Sequence, residues 1–315
     1  MAWLTWRQHR LEGTIAAAAL ALVGLLLLLT GLRAYSAFDA AGLGTCLSDG
    51  SHHCVLAVDQ FQERFASFDV LSGWLNLLPG LIGVLLAAPL VLDLDQGTYR
   101  LVWTQGISRG RWLWTQLGLL TVSAVVAGLA ISALFTWWRR PFDRIEGRMS
   151  PSVFDFQGIV PVAYVLFAIA VALAIGVATR RTAASLAGGF VVYVVVRLSV
   201  QQWVRPHYVS PLRVTWTPRG REPAEVSHAW KLSGAIVGRD GHRVADPDAL
   251  FRACGFNPSP AEATRCFREH GVFNTALYQP ADRFWLFQAI EFILFVGIAA
   301  ALAGGVVWWI RRRLA

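Results

Sequence analysis

The chain has 315 residues, of which 55% are hydrophobic and only 15% are charged. A soluble domain carries about 25% charged residues, and the deficit here is concentrated in long uncharged runs, which excludes an ordinary soluble globule. The net charge is +8, and every basic residue of the lysine or arginine type except Lys231 is arginine. These arginines are scattered at the ends of the apolar runs and through one long polar segment. Without a basic stripe they argue for lipid headgroups as the partner, and against nucleic acid.

A run of about 18–20 apolar residues is long enough to cross a bilayer, and within lipid it must be helical to satisfy its own backbone. Six such runs occur, near Ile15–Leu32, Leu71–Leu92, Trp112–Trp137, Ile159–Ala178, Ala183–Leu198 and Phe284–Ile310. The first has too long an apolar core for a cleaved signal peptide, and no small-x-small site follows it before Arg33 and Tyr35. Ahead of it, Met1–Leu11 mixes Trp3, Leu4 and Trp6 with Arg7, Gln8, His9 and Arg10. At helical spacing this is an amphipathic helix lying in the headgroup layer. The predicted fold is an all-α polytopic membrane protein with this amphipathic start, six spans, and a disulfide-containing extracytoplasmic domain between the fifth and sixth.

The segmentation in chain order begins with 1–34 (amphipathic start and first span), 35–70 (outer loop) and 71–92 (second span). It continues with 93–111 (inner loop), 112–137 (third span), 138–158 (outer loop) and 159–200 (fourth and fifth spans). It ends with 201–283 (outer domain) and 284–315 (sixth span and basic terminus). Orientation follows from arginine in short flanking segments. Arg7, Arg10, Arg100, Arg109, Arg111, Arg180, Arg181, Arg311, Arg312 and Arg313 all lie on one side, which places both termini in the cytoplasm. The loop with Arg139, Arg140, Arg144 and Arg148 argues the other way and is outvoted. Trp112, Trp114, Trp137, Trp138, Trp285, Trp308 and Trp309 sit near span ends, where an amphipathic ring serves as an interfacial anchor.

All four cysteines, Cys46, Cys54, Cys254 and Cys266, fall in the two outer segments. An even number confined to the oxidising side suggests disulfides. Local pairing, Cys46 with Cys54 and Cys254 with Cys266, closes short loops. The rival at the first pair is metal binding by Cys46, His52, His53 and Cys54, a cluster that matches no standard ligand spacing. The domain 201–283 reads as loop-rich with little sheet pattern, and with a short helix over Ala261–His270.

Polar residues inside the spans are costly unless paired or facing a cavity. Arg197, near the end of the fifth span, and Glu291, about two turns into the sixth, fall at similar depth. A contact between them, or a network including Gln288, is one reading; a place on a translocation path is another. Asn76, Pro79, Pro89 and Pro161 mark irregularities in the second and fourth spans. Ala183, Ala184, Ser185, Ala187, Gly188 and Gly189 open the fifth with residues small enough for close helix packing.

The inner loop between the second and third spans is the most informative stretch. Asp93 and Asp95 end the second span, Gly97 permits a tight turn, and Thr98 caps a short helix ending at Gly106. Ser108 caps the third span, followed by Arg109. The short helix presents Tyr99, Arg100, Trp103 and Gln105, an aromatic content that a solvated linker does not need. It suits either an interfacial helix on lipid or a docking helix for a cytoplasmic partner.

An acidic residue, Gly-Thr, a short helix and Ser-Arg before the next span resembles the permeases of the type-2 ABC exporter superfamily. Asp95, Gly97, Thr98, Ser108 and Arg109 match that pattern, with Asp95 in place of the usual glutamate. Trp103-Thr104-Gln105 and Trp6-Arg7-Gln8-His9-Arg10 are similar to members from high-GC (actinobacterial) lineages. The resemblance covers the six spans, the amphipathic start and the inner loop, and does not extend to the outer domain. It implies a bacterial plasma-membrane permease, paired with a second permease, whose inner loop couples to cytoplasmic ABC ATPase subunits. The implied cargo is amphipathic: a drug, antibiotic, lipid or peptide.

A phosphate-cradling loop needs Gly-Lys before Ser or Thr, and the only lysine, Lys231, precedes Leu232. ATP and Mg are therefore expected on the partner ATPase, with no cofactor, metal or catalytic residue on this chain. The competing reading is a membrane-bound sensor with a ligand-binding outer domain. An intramembrane enzyme is disfavoured because the spans hold no His, Cys or carboxylate cluster beyond Glu291 and Arg197.

Overall fold

The computed structural model describes residues 22–49, 52–98, 108–218, 222–254 and 260–313. The amphipathic start and Tyr99, Arg100, Trp103 and Gln105 lie outside the described residues. Among the described residues, six helices are long and apolar enough to cross a membrane: Leu22–Ala40, Val70–Gln96, Gly110–Glu146, Val160–Thr179, Thr182–His207 and Ala281–Arg312. They are called spans one to six below. The described part of span one reaches eight residues further than composition suggested, and span three continues nine residues past Trp137. The chain forms two compact units, residues 1–70 with 134–145, and residues 71–133 with 146–315.

In the first unit the expected outer loop is helical. Helices Leu43–Asp49 and His52–Arg64 follow span one, and a third begins at Ser67. Their glue is aromatic. Phe38, Phe61, Phe65, Phe68 and Phe142 are buried together with Trp138, whose ring stacks on Phe68 at 4.8 Å between centroids. The Trp138 Nε1–H donates to Thr30 Oγ1 (3.0 Å), and the Tyr35 hydroxyl donates to the Trp137 carbonyl (2.9 Å). Gly31 permits this approach, since a Cβ there would lie 2.8 Å from the Trp137 ring. Trp138 is thus a core residue and not the interfacial anchor its position suggested. Large rings bury much apolar area and still find a polar partner for the indole nitrogen.

In the second unit span four is the axis. It is buried along nearly its whole length and packs against spans two, five and six. Small residues set the spacing. A Cβ on Gly83 would fall 2.5 Å from Ala168 Cβ, one on Gly128 2.5 Å from Val162 Cα, and one on Gly189 3.1 Å from Ala172. The Ser185 hydroxyl reaches across to the Ala172 carbonyl at 2.6 Å. Close backbone approach of this kind replaces the hydrophobic drive that is absent between helices in lipid. Pro79 and Pro161 lie in the first turns of their helices, where a missing N–H costs nothing. Pro79 restarts span two after a break between Leu75 and Leu78, whereas Pro89 lies inside the helix.

The segment between spans five and six corrects the expectation of little sheet. Strands β1 (Leu212–Trp216), β2 (Trp230–Val237) and β3 (Phe273–Gln279) form an antiparallel sheet in the order β1-β3-β2. The chain is therefore mostly helical and not all-α. The central strand β3 is the most buried, with Ala276, Tyr278 and Gln279 inside, while β1 and the start of β2 alternate exposed and half-buried residues. In β1 the exposed Arg213 and Thr215 alternate with Val214 and Trp216, and in β2 a register slip between Lys231 and Ser233 interrupts the alternation. The predicted helix occurs at Pro260–Glu269. Gln279 and Arg283 tie the sheet to the end of span five: Gln279 Nε2 donates to the carbonyls of Pro206 (3.2 Å) and Val209 (2.6 Å), and Arg283 Nη1 donates to that of Ser210 (2.8 Å).

Candidate functional site: a buried ionic cluster and the ends of the inner loop

Span five does not end as a regular helix. After Ser199 the backbone widens into a π turn, Val200–Val204, then tightens into a 3-10 turn, Arg205–His207. Such π turns recur at functional positions because they re-aim side chains. Here the change of pitch accompanies the burial of both Arg197 and Arg205. The segment before span four supplies the first anion: a single turn, Pro151–Phe154, delivers Asp155, also fully buried. Span four contributes Tyr164, span six contributes Glu291, and Tyr208 closes the group.

Arg197 and Arg205 both pair with Asp155, each through Nη2. Arg205 also holds Glu291 with two nitrogens, Nη2 to Oε1 at 2.6 Å and Nε to Oε2 at 2.8 Å. The Tyr164 hydroxyl contacts Asp155 Oδ1 (2.8 Å) and Glu291 Oε1, and accepts from Arg205 Nη2 at 3.1 Å. The Tyr208 hydroxyl donates to Glu291 Oε2 at 3.1 Å. Two guanidinium and two carboxylate groups sum to zero. That balance lets four charges remain ionised in an apolar setting, where any one alone would be prohibitive. Aromatic faces cover the cations: the Arg205 guanidinium lies 4.5 Å from the Phe154 ring centre and that of Arg197 5.6 Å from the Tyr164 ring centre.

Burial acts to raise the Asp155 carboxyl, but Arg197, Arg205 and the hydrogen bond from Tyr164 outweigh it and hold the group below the ordinary aspartate range. Burial and the Glu291 charge push the Tyr208 hydroxyl up, so it remains a proton donor.

Gln288 lies one turn before Glu291 on the same face and does different work. Its Oε1 accepts from the backbone N–H of Ile159 and of Val160, both at 3.0 Å, and its Nε2 donates to the Phe154 carbonyl at 3.0 Å. It caps span four from a neighbouring helix, supplying the acceptor that a helix start lacks. Gly158, with φ +71°, makes room for it.

Of the residues singled out from sequence, Arg197, Gln288 and Glu291 all lie at this end of the second unit. The structure assigns Arg197 to Asp155 and Glu291 to Arg205, in place of a direct Arg197–Glu291 pair. Asp155, Tyr164, Arg205 and Tyr208 were not singled out. Asp155 and Arg205 fall just outside the apolar runs, so composition assigned them to solvent. The signal available was Arg205 itself, a second arginine eight residues beyond Arg197.

At the opposite end of span four's neighbours, the ends of the inner loop are described. Asp95 Oδ2 accepts from the backbone N–H (3.0 Å) and the hydroxyl (2.7 Å) of Thr182, the first residue of span five's helix. Asp95 is thus a cap provided across helices. Gly97 ends span two with φ +72°, the left-handed conformation that glycine adopts without strain. The Thr98 hydroxyl turns back to Asp93 Oδ1 at 2.9 Å. Ser108 Oγ accepts from the Arg111 N–H at 3.4 Å, and helix Arg109–Glu146 begins there.

The cysteines pair as Cys46–Cys54 and Cys254–Cys266. The first bond removes both thiolates from the alternative metal cluster with His52 and His53. Cys254, Cys266 and His270 also bring ligand atoms within 4.8 Å of one another. Both sulfurs there are likewise committed to each other.

Among the described residues, six helices long and apolar enough to cross a membrane, with spans two to five meeting at glycines and two buried arginines balanced by two buried carboxylates, mark a multi-pass membrane protein. Residues 17–205 match a family model described as ABC-2 membrane transporter related. That range covers more than half of the chain, and the chain belongs to this family of ABC-2 type permeases. No curated protein and no solved structure matches it.

Proposed function

We propose that this chain is the permease subunit of an ATP-driven exporter. The observation that carries the reading is the family match, which runs through the first five spans and the loop from Gly97 to Ser108. Asp95, Gly97, Thr98, Ser108 and Arg109 hold the loop's two ends, and Tyr99, Arg100, Trp103 and Gln105 form the surface that docks a cytoplasmic ABC ATPase. ATP and Mg bind on that partner, whose closure moves the loop and switches access across the membrane. The permease pairs with a second permease, identical or similar, in a bacterial plasma membrane with both termini cytoplasmic. The cargo is an amphipathic drug, antibiotic, lipid or peptide. The exposed apolar faces of the spans, among them Leu119, Val122, Val126 and Ile293, support a lipid-facing or paired arrangement.

The test is co-purification with the candidate ATPase and measurement of ATP turnover, comparing wild type with the variant Tyr99→Ala, Trp103→Ala, Gln105→Ala. The expected result is a stable complex whose assembly or permease-dependent turnover is lost in the variant. A wild type that binds no ATPase, or a variant that couples normally, overturns the reading. The sheet-bearing segment between spans five and six then favours a membrane-bound sensor.

A further inference from the structure

The antiparallel sheet leaves one face open. Its register sets Arg213, Leu277 and Ser233 in one row, and Thr215, Thr275 and Ala235 in the next row on the same side. The alternate residues of β3, Ala276 and Tyr278, are buried, so the Thr275 side is the outer one. Small side chains keep its centre low. Ser233, Gly234, Ala235 and Thr275 line a trough of ≈ 180 Å³ that also touches Arg213 and Arg243. Arg243 is brought there by the turn that follows β2, through its bridge to Val237.

Three donors on this trough have no acceptor among the described residues. Among the described residues neither Arg213 nor Arg243 forms an ion pair with a carboxylate. The Thr275 hydroxyl is buried without a hydrogen-bond partner. A buried hydroxyl left unpaired is costly, and native structures rarely leave one without a reason. Asp240, the carboxylate of the same turn, accepts from the His242 N–H.

We infer that this trough is a binding site for a small oxyanion, a phosphate or carboxylate group held by Arg213 and Arg243 with Thr275 donating from the floor. Guanidinium groups present paired donors that fit the oxygens of such anions. The volume is below the ~300 Å³ at which pockets for drug-sized molecules begin. The site takes an anionic group and not a whole amphipathic cargo. It stands apart from any coupling to an ATPase, and either function proposed above can use it.

The experiment uses the full chain in phosphatidylcholine nanodiscs, titrated by calorimetry with inorganic phosphate and with succinate. A second arm adds phosphatidylglycerol to the discs. Arg213→Gln, Arg243→Gln and Thr275→Val are compared with wild type, and retention of the Cys254–Cys266 bond reports that each variant is folded. The expected result is saturable binding weakened about tenfold or more by either arginine change, and by a smaller factor in Thr275→Val. Binding in phosphatidylcholine discs assigns the anion to a soluble source. A response confined to phosphatidylglycerol discs, with the same losses, assigns it to a lipid headgroup. No saturable binding in either arm, or binding indifferent to all three substitutions, overturns the inference.

Discussion

Arg205 holds Glu291 through two separate nitrogens, at 2.6 and 2.8 Å, although the two residues are 86 positions apart. The same guanidinium also pairs with Asp155. It thus joins the end of span five to span six and to the segment before span four.

Breaking this arrangement from one side leaves a buried charge without its counterpart. Glu291→Gln or Arg205→Met alone is expected to destabilise the protein by about 3–5 kcal/mol. The double variant restores neutrality while Arg197 and Asp155 remain paired, so its cost falls below the sum of the singles. Thermal unfolding of the four proteins in detergent measures this, and strict additivity contradicts it.

Asp155 sets a pH dependence. Its carboxyl is held lower in the folded protein than in the unfolded chain, where an aspartate titrates near about 4. Its contribution is complete above that value and is lost as pH falls through the lower folded value. The stability advantage of wild type over Asp155→Asn is therefore constant from pH 7 to about 5 and shrinks below about 4. Melting curves across pH 3–7 test the sign.

Gly83 faces the backbone of span four, with Val165 O 2.7 Å from where a Cβ would stand. Gly83→Ala is expected to cost about 1–3 kcal/mol through overpacking. Gly297, which has no atom within 4 Å of that position, serves as the control. Gly297→Ala leaves the melting temperature unchanged or slightly raised, because alanine favours helix.

The Cys254–Cys266 bond closes a loop of sequence separation 12 between helices Pro247–Ala253 and Pro260–Glu269. Its replacement by two serines is expected to remove about 2–4 kcal/mol. Alkylation followed by mass spectrometry reports the bond directly. Free thiols at both positions in unreduced protein would contradict the assignment.

The sequence by itself determined the membrane class, the six spans and the family resemblance. Each rests on local properties: the length of an apolar run, the residues that bound it, and a short motif between two runs. The pairing of Cys46 with Cys54 was legible for the same reason, since close neighbours close small loops. Tertiary structure alone decided where the charges go. Asp155 and Arg205 read as solvated loop residues, and they become core residues once span five changes pitch and the turn before span four folds inward. Gln288 read as part of a polar network, and it became a cap because span four starts beside it. The sheet was hidden because its strands are short, β1 spanning only Leu212–Trp216, and because β2 slips register between Lys231 and Ser233, so that its polar residues fall on both faces. Partner choice for a buried charge depends on which distant segments share its depth and direction. That is a property of the packed helices, not of any window of sequence.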